Sequence, residues 1–220
     1  EDDFRLRFIQ VGIMKTPELS VLEASKEIQS FAERIHRMFT MVRELLYTND
    51  ESKFDKLYKR IEKYERISDN MEVEIAKYLD HVSDAHLSDE TKEKVRDMLR
   101  EISEIESIGD SCYNLARTIN RKRSYKNENF TDEQLSHIEQ MFELTDSALS
   151  QMDKLIIKRK DNDLNRAFMI ENEINNFRNQ LRDQNITDIN SRKYTYAIGT
   201  MYMDIIQECE KLGDYAINVV

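Results

Sequence analysis

Along most of this chain apolar residues return every three or four positions, the spacing that lines one face of an α-helix. Leu19, Leu22, Ala24, Ile28, Phe31, Ile35, Met38, Val42, Leu45 and Leu46 follow it. Thr16-Pro17-Glu18 supplies a capping hydroxyl, a proline at the first helical position and a first-turn acid. A first helix is predicted over about 17–48, ending at Thr48-Asn49-Asp50. Phe54, Leu57, Ile61, Tyr64, Ile67, Met71, Ile75 and Leu79 mark a second, over about 50–81. Ser88-Asp89-Glu90 opens a third, which continues through Val95, Leu99, Ile102, Ile105, Ile108, Cys112, Leu115 and Ile119. The polar run from Arg121 to Asn129 then breaks the pattern. Thr131-Asp-Glu-Gln134 is a capping box that starts a fourth helix, predicted to about Lys158. A fifth is expected over about 161–188, and a sixth from about 192 to the C-terminus.

The first fifteen residues differ. Phe4, Leu6, Phe8, Ile9, Val11, Ile13 and Met14 mostly alternate and are interrupted by Gly12, a pattern of extended chain. The predicted organisation is a connector over 1–15, a three-helix unit over 16–120, a linker over 121–130 and a second unit over 131–220. The fold class is all-α: two tandem antiparallel three-helix bundles of six long helices, each near 45 Å at 1.5 Å per residue.

Composition sharpens this picture. The chain is 35% charged, with one proline and a mean hydropathy of −0.71, which fits long helices with solvated faces. Ten methionines suit irregular gaps between helices. A net charge of −10 argues against non-specific nucleic-acid binding, which needs basic surface. No apolar run approaches the roughly 20 residues that span a bilayer. Cys112 and Cys209 have no CxxC partner and fit reduced core thiols, although a single bridge between them stays open.

One motif occurs twice. Glu106-Ser-Ile-Gly-Asp110-Ser-Cys-Tyr-Asn114-Leu115 reappears 104 residues later as Glu210-Lys-Leu-Gly-Asp214-Tyr-Ala-Ile-Asn218-Val219. Two of the four glycines, Gly109 and Gly213, fall at this one register. Glycine inside a helix costs about 1 kcal/mol relative to alanine, so its repeated use implies close approach of something to the helix. The match extends upstream, where Glu65-Arg-Ile-Ser-Asp69 corresponds to Glu171-Asn-Glu-Ile-Asn175. The following motif begins 41 residues later in the first half and 39 in the second.

Carboxylates four apart project from one helix face. Faced by a second pair they form a hard, oxygen-rich site suited to a divalent or trivalent cation such as iron, zinc or magnesium. The candidate ligands are Glu65, Asp69, Glu106 and Asp110 in the first half. In the second they are Glu171, Glu210 and Asp214, with Asn175 a neutral, weaker donor in place of the fourth acid. With 43 acids in the chain, chance supplies roughly 8 pairs at this spacing, so the duplication and not the spacing carries the motif. The competing state is a solvated face, its acids paired with cations such as Lys63, Arg66 and Arg117.

Other features point less sharply. Glu33-Arg-Ile-His36 has the ExxH spacing of carboxylate-bridged di-iron bundles, but such sites need two copies and the chain has one, so His36 reads as a boundary residue. His81, His86 and His137 lack ligand spacing. Arg117, Arg121, Lys122, Arg123 and Lys126 form a basic cluster that complements a helix C-terminus, with anionic lipid contact as the alternative. No phosphate loop or nucleophile motif is present, and no enzymatic activity is expected.

Two three-helix units, each with an acidic motif on its second helix and E-x-[Ile/Leu]-G-D-x-x-x-N on its third, resemble PhoU over roughly residues 20–220. The resemblance implies a cytoplasmic regulator of bacterial phosphate uptake, with multinuclear metal on those acids. It departs from the family pattern at Asn175, where aspartate is usual, and at Lys211, where arginine is commoner. Phe8 to Ile28, containing Met14-Lys-Thr-Pro17-Glu-Leu-Ser-Val-Leu-Glu-Ala24, resembles the junction that follows the membrane domain in sodium/phosphate cotransporters. That resemblance implies a C-terminal regulatory domain on the cytoplasmic side of the inner membrane, tethered but not inserted. Its partner would be the membrane domain of the same transporter. A free-standing PhoU-type regulator, acting on a phosphate transporter and its sensor kinase, is the alternative, and a homodimer is a further expected contact. A ferritin-like metalloprotein is the more distant alternative.

Overall fold

The computed structural model describes residues 6–9, 16–158 and 164–219. Six helices follow one another: α1 (Pro17–Leu46), α2 (Glu51–Ser83), α3 (Asp89–Arg123), α4 (Asp132–Lys158), α5 (Leu164–Asn190) and α6 (Tyr196–Val219). Among the described residues there is no strand.

The caps act where the side-chain chemistry predicts. Thr16 Oγ1 accepts from the Leu19 amide at 3.3 Å, Asp50 Oδ1 from Lys53 at 2.9 Å, and Ser88 Oγ from Thr91 at 3.2 Å. Thr131 and Gln134 close a reciprocal capping box, with bonds of 2.9 and 3.1 Å. Among the described residues, two boundaries differ from the expectation by more than two residues. Helix α3 runs to Arg123, three residues into the basic run, because those side chains complement its carbonyl end and find partners of their own. Helix α6 starts at Tyr196 and not near 192, because Arg192 takes a left-handed conformation (φ 58°) that ends α5. The Arg192 and Lys193 amides turn back onto the carbonyls of Ile189 and Asp188, and Thr195 then caps the new helix. The predicted start of the fifth helix, residues 161–163, lies outside the described residues.

Each trio forms its own three-helix unit, and the two units share one hydrophobic core. α1 packs against α4, α3 packs against α6, and among the described residues α2 and α5 touch only helices of their own half. Arg43 pairs with Glu139 and Glu143 while His36 reaches Asp146 and Asp153, so α1 and α4 run antiparallel. Asn114 meets Glu208 and Arg121 meets Asp204, so α3 and α6 do too. Each central helix therefore lies against its own counterpart, the arrangement expected of two copies related by a two-fold axis. Phe39 and Phe142 meet edge-on at 5.7 Å in this seam. Cys112 and Cys209 are free thiols in the core, fully buried.

Part of the predicted connector is visible. The amides of Arg7 and Phe8 donate to the carboxylate of Glu27, a fully buried acid of α1, at 2.7–3.2 Å, and Ile9 is buried in the hydrophobic core. A buried carboxylate needs such donors, so Glu27 ties this segment to the bundle. Residues 1–5 and 10–15 of the connector lie outside the described residues.

Candidate metal centre

Helices α2 and α3 pack side by side and bring the first-half acids to one patch. Gly109 makes this possible: a Cβ there would lie 2.8 Å from Ser68 Oγ and 3.2 Å from Ile35 Cδ1. One oxygen each from Glu65, Asp69 and Asp110 lies within 4.8 Å of the other two. Glu106 joins them by hydrogen bonds to Asp110 and Asp69. Burial and the Asp69 charge push Glu65 up to about 7. Burial, followed by the bonds to Asp110 and Asp69, pushes Glu106 up to about 9. Asp110 is raised as well, by burial and by the Asp69 charge. Near neutrality the patch therefore holds protons to limit its own repulsion.

A fifth acid belongs to this patch and was missed from the sequence. Glu72, one turn beyond Asp69, is raised by burial and by the charges of Asp69 and Asp110, so it faces the same space. Hard oxygen donors in excess of nearby cations fit a multivalent ion, and a bound ion would displace the protons.

The second half repeats the scaffold with different charge. A Cβ on Gly213 would lie 2.9 Å from Ile174 Cδ1, and Ile174 stands 106 residues after Ser68, its counterpart. Glu210 and Asp214 interact with each other, and Glu171 lies close to Asp214. Both Glu210 and Asp214 are raised, chiefly by burial. In the first half the Arg66 charge opposes the rise at Glu65, and in this ridge a guanidinium closes to ion-pair distance: Arg178 Nη1 stands 3.8 Å from Glu210 Oε2, and its charge opposes the rise at both acids. Arg178 stands 106 residues after Glu72, at the same register. Asn175 Oδ1 and Arg178 Nε are buried without a hydrogen-bond partner. Carrying the internal alignment three residues past Asn175 would have revealed the exchange of Glu72 for Arg178.

Other candidates resolve differently. His36 is a clamp between the halves: Nδ1 lies 2.6 Å from Asp153 Oδ2 and Nε2 lies 2.7 Å from Asp146 Oδ1. Its ring nitrogens point to carboxylates on opposite sides, so they do not converge with Glu33 on an ion. The basic cluster is largely engaged within the chain. Arg121 pairs with Asp204, Arg123 pairs with Asp55 and covers Phe54, Arg117 covers Tyr113, and Lys122 meets Asn129 and Phe130. Among the described residues no helix is long and apolar enough to cross a membrane.

Comparison with known proteins bears on the fold. The PhoU domain family model matches residues 28–119. No curated protein sequence matches the chain. The crystal structure of the phosphate transport system regulatory protein PhoU from Streptococcus pneumoniae superposes with a TM-score of 0.77 at 16% identity, covering 93% of each chain. That of PhoU from Pseudomonas aeruginosa superposes with a TM-score of 0.78 at 11% identity, covering 91% of this chain and 93% of the other. Over about nine-tenths of its length, this chain has the PhoU-like fold.

Proposed function

We propose that the chain is a non-enzymatic regulator of phosphate transport of the PhoU type, acting through contacts with transport or sensor proteins. The observation that carries this is the likeness to a phosphate transport system regulatory protein over 93% of both chains, together with the PhoU domain match over 28–119. The two solved structures described above are PhoU proteins, which favours a PhoU-type regulator over the cotransporter domain suggested by the leader. The cotransporter domain is the second reading. It rests on the resemblance of Phe8 to Ile28, and one described part of that stretch, Phe8 and Ile9, is docked on α1.

In this proposal Glu65, Asp69, Glu106 and Asp110 hold a divalent or trivalent cation. Such an ion supplies positive charge to which phosphate can bind. The acids bind and orient the ion, and release their protons as it enters. Regulation then requires that the loaded state bind a partner better than the unloaded one.

The test is phosphate uptake in cells carrying the native gene, a deletion, and Glu106→Gln/Asp110→Asn. Deletion should alter uptake or its response to external phosphate. Unchanged uptake and unchanged response on deletion would refute the regulatory role. The double variant should bind less metal than the native chain, and equal, sub-stoichiometric metal in both would remove the cation claim alone. Co-purification with a membrane domain encoded in the same reading frame, or with separate transporter proteins, distinguishes the two readings.

A further inference from the structure

The two acidic ridges sit at matching registers beside matching glycines, yet they differ in charge at two of those registers. The first carries five carboxylates: Glu65, Asp69, Glu72, Glu106 and Asp110. The second carries Glu171, Glu210 and Asp214 with the amide of Asn175 and the guanidinium of Arg178. We propose that Arg178 is the resident cation of the second ridge, balancing its carboxylates from within the chain and closing that ridge to metal ions.

Three observations support it. Arg178 occupies the register of Glu72, so the sign of one charge is reversed where the first half most needs an external cation. Its guanidinium lies 3.8 Å from Glu210, and its charge acts on Asp214 as well. The same half has replaced the fourth acid by Asn175, so it presents three carboxylates and a guanidinium where the first half presents five carboxylates. A metal approaching Glu210 and Asp214 would have to displace a like-charged guanidinium whose stem is half-buried. The residues of the second half therefore do not fit the cluster that the PhoU resemblance implies for them.

The test has two arms, and the first needs no metal. In chelator-treated protein Arg178→Met keeps the apolar stem and removes the charge. It should lower the melting temperature by about 3 °C at low salt, a shift of the size one lost charge interaction gives in a chain of this length. The loss should shrink in 1 M NaCl, and Arg178→Lys should recover much of it. A loss that is undiminished by salt and unrescued by lysine would mean Arg178 only packs, and would overturn the proposal.

The second arm uses Mn²⁺ as the probe, followed by equilibrium dialysis and paramagnetic broadening. Glu210→Gln/Asp214→Asn should leave the Mn²⁺ bound by the native chain unchanged. Asn175→Asp/Arg178→Glu should gain one Mn²⁺, lost again when Glu210→Gln/Asp214→Asn is added. A native chain whose Mn²⁺ falls with Glu210→Gln/Asp214→Asn would overturn the proposal, and so would an Asn175→Asp/Arg178→Glu chain that folds and gains none. The proposal shares with the proposed function only the cation chemistry of the ridges. Native chain that binds no Mn²⁺ at all, with both Arg178 results as expected, would end the first-half metal claim and leave the counter-ion intact.

Discussion

Gly109 and Ser68 touch so closely that a methyl group on the glycine would sit 2.8 Å from the serine oxygen. The same approach recurs in the second half, where a methyl on Gly213 would lie 2.9 Å from the Cδ1 of Ile174. These two contacts set how near α3 comes to α2 and α6 to α5, and with it the spacing of the acids. They are not equally tight. Gly109 also has Ile35 Cδ1 at 3.2 Å and Ser68 Cβ at 3.4 Å, whereas Gly213 meets one flexible isoleucine terminus.

Alanine at each position separates the two cases. Helix propensity favours alanine by about 1 kcal/mol, and overpacking opposes it by about 1–3 kcal/mol. Gly213→Ala is expected near neutral, because Ile174 can rotate away. Gly109→Ala is expected to destabilise by about 1 kcal/mol, since Ser68 and Ile35 crowd the methyl from two sides. Ser68→Ala, which removes the crowding hydroxyl, should recover part of that loss. Urea unfolding of the three variants decides it, and equal tolerance at both glycines would contradict the asymmetry.

His36 links the halves in a pH-dependent way. Its hydrogen bond to Asp153 leads, burial opposes, the bond to Asp146 adds, and the result is a rise from 6.5 to about 9. The folded value lies above the unfolded one, so this stabilisation is fully present below about 6.5 and is lost as pH rises through about 9. His36→Gln should cost about 1–2 kcal/mol at pH 6, allowing for solvent screening of a partly exposed clamp. The difference from the native chain should vanish by pH 10. Thermal unfolding across that range measures it, and a pH-independent penalty would mean the imidazole is held by packing alone.

The first-half acids behave with the same sign. Burial first, then bonding to Asp110 and Asp69, lifts Glu106 from 4.5 to about 9 in the folded chain. Metal-free stability contributed by this group is present below about 4.5 and lost as pH rises through about 9. Glu106→Gln keeps a hydrogen-bonding amide that cannot ionise. It should raise the metal-free melting temperature at pH 8 and leave it unchanged at pH 4. Added Mn²⁺ should stabilise the native chain more at pH 8 than at pH 6, because binding must displace protons. A native chain that shows no such pH dependence would contradict cation binding at this patch.

Arg192 is the one non-glycine residue with positive φ among the described residues, at 58°. A side chain there is disfavoured where glycine is not. Arg192→Gly should therefore leave the chain as stable or raise its stability by up to about 1 kcal/mol, read from the urea midpoint. A clear loss would show that the Arg192 side chain makes a stabilising contact.

Much of this molecule was legible in one dimension because the rules involved are local. Three- and four-residue apolar spacing fixed the six helices, and Thr16, Ser88 and Thr131 marked their starts through bonds spanning three residues. The doubling of the glycine motif predicted two like halves and a close helix approach at Gly109 and Gly213. What periodicity could not decide was contact between helices distant in sequence. That Glu72 joins the first ridge, that the Arg178 guanidinium reaches Glu210 in the second, and that His36 lies between Asp146 and Asp153 all depend on how helices rotate and pack against one another. Charge on a helix face is written in the sequence, but the partner that neutralises it is chosen by packing, and there the tertiary structure alone decides.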